Sequence, residues 1–405
     1  MRSVIQIFLL LAITAQYVSA QKKLPVLQAS STSVNIREGN FVYKNAWRIS
    51  PELKPDIFVT NPFKGTKEIT FFSNVDSLTF SVKPNRKYDF IISLNGGESA
   101  YTQINTDLKE TPTFKPKPTV QRKAGMGNSP TDTLNFKLGK NSYIYLKGKV
   151  NNSDTLDFLF DTGAGISVVT SSLIDNKKVN VKLDGEQDNG GSDGISRVKT
   201  SSANSIEIGN LIWKDVPLLA IDYQGFPFDM VLGWVAFEGK IVEINYDRNI
   251  LVVHNELPET VPEYSKLEMQ YFEGVPYIKC RLGTNGKESE AWFDFDTGSD
   301  GTLFAGQKYA SANSLNNGLK PIGMSRSIGS SGVAFTQQSV ILPRLMFGDF
   351  ELYQVPLYIN DKDPEGVSNN EIIGNKILKR FNAILDFKND AIYLKPNSLF
   401  YSPMY

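Results

Sequence analysis

The sequence predicts an all-β protein: a small N-terminal β-sandwich, followed by a bilobal unit that is internally duplicated. Phe (25), Tyr (17) and frequent Val, Ile and Thr favour strands. Short alternating segments such as 77–82 are separated by Gly, Pro and Asn clusters, which is typical of antiparallel sheets. Four landmarks after residue 133 recur in order, at offsets that rise from 135 residues (296 − 161) to 141 (374 − 233).

The first twenty residues have the features of a secretory signal peptide. Arg2 precedes an apolar run at 4–15, and the small residues Ser19 and Ala20 offer a cleavage site before Gln21. The run is shorter than the ~20 residues that a membrane span needs. There is no Cys near the cleavage point, so the sequence does not support a lipid anchor. We therefore expect export, to the periplasm or the exterior, and no membrane span after the signal is removed.

Composition excludes several classes of function. With 43 basic and 43 acidic residues the net charge is zero. The sequence therefore lacks the basic surplus that would indicate a nucleic-acid partner. Cys280 and His254 are the sole residues of their types, and both lie in segments that read as strands. A His-rich zinc site cannot be built, a Ser-His-Asp or Cys-His site would have to use His254, and no internal disulfide can form.

The expected domains follow these composition changes. Residues 21–107 are predicted to form a sandwich-like accessory domain, and 108–132 a stiff linker rich in Pro and Lys. The two lobes are predicted at 133–256 and 257–405. The N-terminal part could alternatively recognise a partner, tether the protein to a surface, or act as a prosegment.

The duplicated segment carries two matched sets of motifs. Asp161-Thr162-Gly163 and Asp296-Thr297-Gly298 each follow a predicted strand, where glycine permits a tight turn that aims the carboxylate out of the sheet. Downstream, 231–233 and 372–374 each place apolar residues before a glycine, Gly233 and Gly374, on a strand expected under the aspartate turn. In each copy a predicted hairpin tip lies between the Asp-Thr-Gly motif and the downstream glycine. The residues of these two tips are flap and substrate-binding candidates: Gly191, Ser192 and Gly194, and Gly329, Ser330 and Gly332.

Approximate two-fold symmetry would bring Asp161 and Asp296 face to face. Two carboxyl groups held that close cannot both ionise, so the pair shares a proton. The ionised member can remove a proton from water while the protonated member polarises a carbonyl, which is acid–base catalysis without metal or cofactor. Thr162 and Thr297 are expected to bond across the symmetry axis. The full set of supporting residues is Thr162, Gly163, Thr297, Gly298, Ser299, Gly233 and Gly374.

These motifs resemble those of the aspartic peptidases, with retropepsin-like lobes in tandem as in the pepsin-like bilobal arrangement of a bacterial secreted enzyme. The resemblance covers residues 133–405 and rests on the two Asp-Thr-Gly motifs with their downstream glycines. It implies a cleft between lobes, an extended peptide substrate and inhibition by pepstatin-like compounds. One chain supplies both aspartates, so we expect a monomer.

The expected function is therefore that of a secreted aspartic endopeptidase; the alternative is an inactive peptidase fold that binds peptides or a protein partner. Ser299 follows the second motif where Ala164 follows the first, so we expect Asp296 to ionise more readily. Asp294, where the first copy has Leu159, is expected either to raise the pKa values of the pair or to be a surface-solvated or hydrogen-bonded strand residue.

Overall fold

A computed structural model describes residues 24–404 except 32, 40, 74, 95–96, 115–117, 128, 224, 273, 285, 366 and 368–369. The predicted signal segment, 1–20, lies outside the described residues. Strands make up 55% of the chain and helices 7%, which confirms the predicted all-β class. The chain forms two compact units, Met1–Phe114 and Lys115–Tyr405.

The first unit is a sandwich of two four-stranded sheets. One sheet has the order β1-β7-β8-β4 and the other β3-β2-β5-β6. Their inner faces enclose a core in which the rings of Phe58, Phe71 and Phe90 are fully buried. The strands are β1 Val26–Ala29, β2 Ser33–Glu38, β3 Phe41–Arg48, β4 Asp56–Val59, β5 Lys67–Phe72, β6 Ser77–Val82, β7 Lys87–Leu94 and β8 Ser99–Asn105.

The segment predicted as a linker is partly structured. Phe114 stacks on Tyr43 with ring centroids 4.5 Å apart, so it belongs to the first unit. Further on, β9 (Thr119–Arg122) pairs antiparallel with residues 211–214 of the second unit. Only two of the four residues in β9, Thr119 and Val120, favour strands, so the sequence gives little periodic signal there. The strand forms because its backbone groups complete a sheet edge elsewhere in the chain.

The second unit contains β9 and two sets of ten strands. The first set is β10 Thr131–Leu138, β11 Ile144–Val150, β12 Leu156–Asp161, β13 Ser167–Thr170, β14 Gly185–Gly191, β15 Gly194–Ile208, β16 Leu211–Ile221, β17 Met230–Gly233, β18 Ile241–Asn245 and β19 Ile250–His254. The second set is β20 Ser265–Phe272, β21 Val275–Thr284, β22 Lys287–Asp296, β23 Leu303–Ala305, β24 Pro321–Ile328, β25 Ala334–Phe347, β26 Phe350–Asn360, β27 Ile372–Gly374, β28 Phe381–Asp386 and β29 Ala391–Pro396.

Helices in the second unit are short. The α-helices are α1 Ser171–Asp175, α2 Gln307–Ala312, α3 Leu315–Gly318 and α4 Asn375–Leu378, and the 3₁₀ segments are Trp234–Phe237 and Val261–Glu263. Among the residues that the structure describes, no helix has the length and apolar character needed to cross a membrane.

The two sets of strands pair in the same way, so the duplication read from the sequence is a structural repeat. In the first lobe β12 lies parallel to β17 and β13 parallel to β16. In the second lobe β22 lies parallel to β27 and β23 parallel to β26. Each lobe thus delivers its Asp-Thr-Gly motif from the end of a strand that is hydrogen-bonded to the strand carrying the downstream glycine.

A six-stranded antiparallel sheet of order β10-β19-β18-β28-β29-β20 joins the lobes. Its central pair is β18 and β28, one strand from each lobe, with Ile241 opposite Asp386 and Ile244 opposite Ala383. This shared sheet fixes the orientation of the lobes, because backbone hydrogen bonds across the pseudo-two-fold axis set the register.

Candidate active site

The two aspartates lie at the ends of equivalent strands and face each other. Asp161 ends β12 opposite Gly233, and Asp296 ends β22 opposite Gly374. Their carboxyl groups are close enough for a side-chain hydrogen bond. The structure therefore brings together the two residues that sequence symmetry pairs.

Threonines tie the two aspartate turns together. The backbone N–H of Thr162 donates to Thr297 Oγ1 at 3.1 Å, and that of Thr297 donates to Thr162 Oγ1 at 2.9 Å. Thr297 Oγ1 also donates to the carbonyl of Phe160 at 2.9 Å, and Thr162 Oγ1 donates to the carbonyl of Phe295. Both threonines are fully buried, so these bonds hold the turns at a fixed separation.

Glycine in each motif allows the opposite aspartate to approach. A Cβ added at Gly163 would lie 2.7 Å from Asp296 Cγ, and one at Gly298 would lie 2.3 Å from Asp161 Cγ. The downstream glycines act within each lobe. A Cβ at Gly233 would lie 2.5 Å from the Ala164 carbonyl oxygen, and one at Gly374 would lie 2.6 Å from that of residue 301. Any side chain at these four positions would push the turns apart.

Electrostatics of the pair favour one shared proton. Burial raises the pKa of Asp161 well above its ordinary value, and repulsion from Asp296 raises it further. Burial also raises the pKa of Asp296, but the hydrogen bond from Asp161 and backbone N–H groups, including that of Gly298 at 2.7 Å, oppose the rise. The pair therefore shares one proton, and these contacts favour the charge on Asp296.

Backbone amides, and not only the neighbouring hydroxyl considered in the sequence, oppose the rise in the pKa of Asp296. The backbone N–H groups of Gly298, Ser299 and Gly163 stabilise its charge. A Cβ added at Gly374 would lie 2.8 Å from Ser299 Oγ. The hydroxyl is thus close to the glycine that supports the turn.

The pair lies at the bottom of a cleft of about 720 Å³ between the lobes. This volume is within the ~300–1,000 Å³ typical of ligand sites. Asp161 Oδ1 is buried and has no hydrogen-bond partner among the described residues.

The tips of two hairpins line this cleft, and both contain the residues that the sequence singles out as flap candidates. The first, β14–β15, turns at Ser192 and Asp193 between the paired residues Gly191 and Gly194. The second, β24–β25, turns through 329–333, three residues longer. Gly194 has φ +127° and Gly332 has φ +80°, conformations that other residues rarely adopt. Residues from both tips, including Ser192 and Ser330, line the cleft.

Asp193 joins the two hairpin tips. Its carboxylate accepts hydrogen bonds from the backbone N–H groups of Gly329, Ser331 and Val333, each at 2.9 Å. Asn189 adds a bond from Nδ2 to Ser330 Oγ at 3.1 Å. Asp193 is 4% exposed, so the first flap places a buried carboxylate against three backbone N–H groups of the second flap.

Several site residues were not identified from the sequence. Asp193 lay within a motif noted for its glycines, but only the fold shows which amides it meets. Tyr143 and Tyr223 both lie beside the pair, where burial and the nearby carboxylates raise the pKa of each hydroxyl. The Tyr223 hydroxyl also bonds to Ser330, so lobe 1 supplies a tyrosine to the flap of lobe 2.

The remaining polar candidates lie in defined places. Asp294 lines the cleft and is 8% exposed, so the surface-solvated alternative is wrong. His254 ends β19 and contacts Glu243 at 3.2 Å in the shared sheet, and Cys280 is fully buried in β21. Neither His254 nor Cys280 lines the cleft.

Comparisons with known proteins give one family match and a similar solved structure. Residues 146–235 match the family model described as aspartyl protease. The crystal structure of an aspartic proteinase from Irpex lacteus is similar at 13% sequence identity and a TM-score of 0.43, covering 68% of this chain and 100% of that one. No curated protein matches the chain. Residues 146–235, which include the first Asp-Thr-Gly motif, are therefore similar to the aspartyl proteases, the family that the sequence motifs indicate.

Proposed function

We propose that the protein is an endopeptidase that hydrolyses peptide bonds with a water activated by Asp161 and Asp296. The observation that carries the proposal is the close approach of the two buried carboxyl groups, each packed against the glycine of the opposite motif, which favours one shared proton. A pair in this state contains both a base and an acid in one place.

Each carboxyl group has a defined role in the proposed reaction. Asp296 takes a proton from water as the water oxygen bonds to the scissile carbonyl carbon, and Asp161 gives its proton to the carbonyl oxygen. When the C–N bond breaks, the proton held by Asp296 passes to the departing amine, and Asp161 recovers its proton from the collapsing intermediate. No covalent enzyme intermediate is required. The flaps exclude bulk water from the cleft.

The test is cleavage of a mixed peptide pool, followed by mass spectrometry, between about pH 4 and 7, where an elevated carboxyl pKa is effective. We expect internal cleavage that pepstatin inhibits and that Asp161→Asn and Asp296→Asn abolish. Cleavage that survives either substitution would contradict the proposal. Binding of peptides without cleavage by the wild type would favour the alternative, an inactive peptidase fold.

We also propose that the protein is exported and that residues 21–107 form an accessory domain. Support for the second point is that the first unit encloses a core of its own. Mass spectrometry of the secreted, active protein should find an N-terminus at Gln21. A new N-terminus between 108 and 131 would instead identify the first unit as a prosegment.

A further inference from the structure

The cleft is lined by equivalent regions of the two lobes, here called the lobe 1 pocket and the lobe 2 pocket, which differ in chemistry. Leu159 and Asp294 each lie two residues before the aspartate of their lobe. Leu159 pairs with Tyr145 on one side and Val231 on the other, and Asp294 pairs with Tyr277 and Ile372. The strand register therefore makes Leu159 and Asp294 structural equivalents, one apolar and one acidic.

Two further positions change in the same direction. The parallel register of β13 with β16 and of β23 with β26 makes Ile221 equivalent to Asn360. The neighbouring antiparallel pairs make Val198 equivalent to Gln337. Lobe 1 packs its two residues in an apolar cluster. In lobe 2, Gln337 Nε2 donates to Asn360 Oδ1 at 2.9 Å. Three equivalent positions are thus apolar in one lobe and polar in the other.

The lobe 1 pocket is suited to a large apolar side chain. Rings of Tyr143, Tyr223, Phe226 and Phe228 lie with neighbouring centroids 5.2–6.2 Å apart and line this side of the cleft. Aromatic rings in such edge and tilted arrangements favour another ring or a branched aliphatic chain.

The lobe 2 pocket combines a carboxylate, amides and an aromatic wall. Phe304, whose ring stacks on Tyr358 at 5.1 Å, faces the cleft together with Asp294, Gln337 and Asn360. A lysine or arginine side chain fits this combination, because its methylene stem packs on the ring and its cationic end meets oxygen atoms. Asp300, with Lys376 near it, also lines the cleft, but Asp294 is the acidic residue at the position that is apolar in lobe 1.

We propose that the protein selects peptide bonds flanked by a large apolar residue in the lobe 1 pocket and a lysine or arginine in the lobe 2 pocket, with Asp294 determining the basic preference. This rests on the proposed peptidase function. The pseudo-two-fold axis passes between the aspartates, so the two pockets lie on opposite sides of the scissile bond.

The test uses two synthetic peptides that differ at one position, lysine in one and norleucine in the other, on the side of the bond that faces lobe 2. We expect the wild type to have a kcat/KM at least about tenfold higher for the lysine peptide, because a site built for a polar group rejects an analogue that lacks it. Asp294→Leu, which copies the lobe 1 residue, should reverse this order. Asp294→Asn should reduce the preference, and this variant keeps the test decisive if the leucine variant does not fold.

A lysine preference that persists in both variants, or a wild type that cleaves both peptides equally, would overturn the assignment of Asp294. Binding of the lysine and norleucine peptides to Asp161→Asn is measured as well, because binding does not require turnover. This measurement separates failure of the pocket proposal from failure of the peptidase proposal. Tighter binding of the lysine peptide that depends on Asp294 would support the pocket even without turnover. Equal binding of the two peptides would reject it.

Discussion

Thr162 and Thr297 exchange hydrogen bonds across the lobe boundary, each accepting at Oγ1 the backbone N–H of the other. Each aspartate turn is thereby held by a residue of the opposite lobe. The separation of the two carboxyl groups consequently depends on both lobes being in place, and the pair cannot be assembled by one lobe alone.

Replacing Thr297 by Val should weaken both the fold and the reaction. Valine keeps the volume but leaves the Thr162 N–H and the Phe160 carbonyl without partners in a fully buried site. We expect a loss of about 2–6 kcal/mol of unfolding free energy, since each of the two orphaned groups costs about 1–3 kcal/mol. Urea unfolding measures the loss. Thr297→Ser, which keeps the hydroxyl, is the control, and equal stability of the two variants would contradict the role of these bonds.

Gly298→Ala should affect activity more than stability. The added Cβ would lie 2.3–2.5 Å from the carboxylate atoms of Asp161, so the acid must move. A displacement of about 1 Å at reacting groups can cost about 10²-fold in rate, which is the fall in kcat that we expect. Gly323→Ala is the control, because nothing lies within 4 Å of its new Cβ. A kcat within a few-fold of wild type would show that the turn tolerates a side chain.

The sequence predicted the chemical centre of the cleft but not its walls. Asp161, Asp296 and the glycines sit in short motifs whose geometry is local and repeated. The Asp193 bond to Gly329 joins hairpin tips 136 residues apart, and no local pattern encodes such a pairing. Likewise, the contrast between Leu159 and Asp294 was visible in the aligned copies, but its place in a substrate pocket follows only from strand register.

Activity and stability should both fall as pH rises through the pKa of Asp161. The folded-state pKa is raised above the ordinary 3.8, so between 3.8 and the raised value the folded state binds more protons than the unfolded chain. The unfolding free energy contributed by this group is fully present below 3.8 and is lost above the folded-state pKa. The reaction loses its acid over the same upper range, so kcat/KM falls too.

Urea unfolding across that range, in wild type and Asp161→Asn, checks the stability part. The substituted protein cannot lose this proton, so its unfolding free energy should decline less steeply with pH. Asp154→Asn, at an exposed position, should follow the wild-type curve. Parallel curves for the wild type and Asp161→Asn would mean that Asp161 does not hold the shared proton.

Asp193→Asn should loosen the contact between the flap tips. An amide in place of the carboxylate has one acceptor oxygen instead of two and adds an N–H that faces the donors of the second tip. Gly329, Ser331 and Val333 donate to this carboxylate, so their amide hydrogens should exchange with solvent at least about tenfold faster. KM should rise because the closed cleft is less populated. Asp188→Asn is the matched control, since Asp188 lies on the same hairpin but is exposed and paired with Arg197. Unchanged exchange in Asp193→Asn would show that the tips are held closed by other contacts, such as the bond from Asn189 to Ser330.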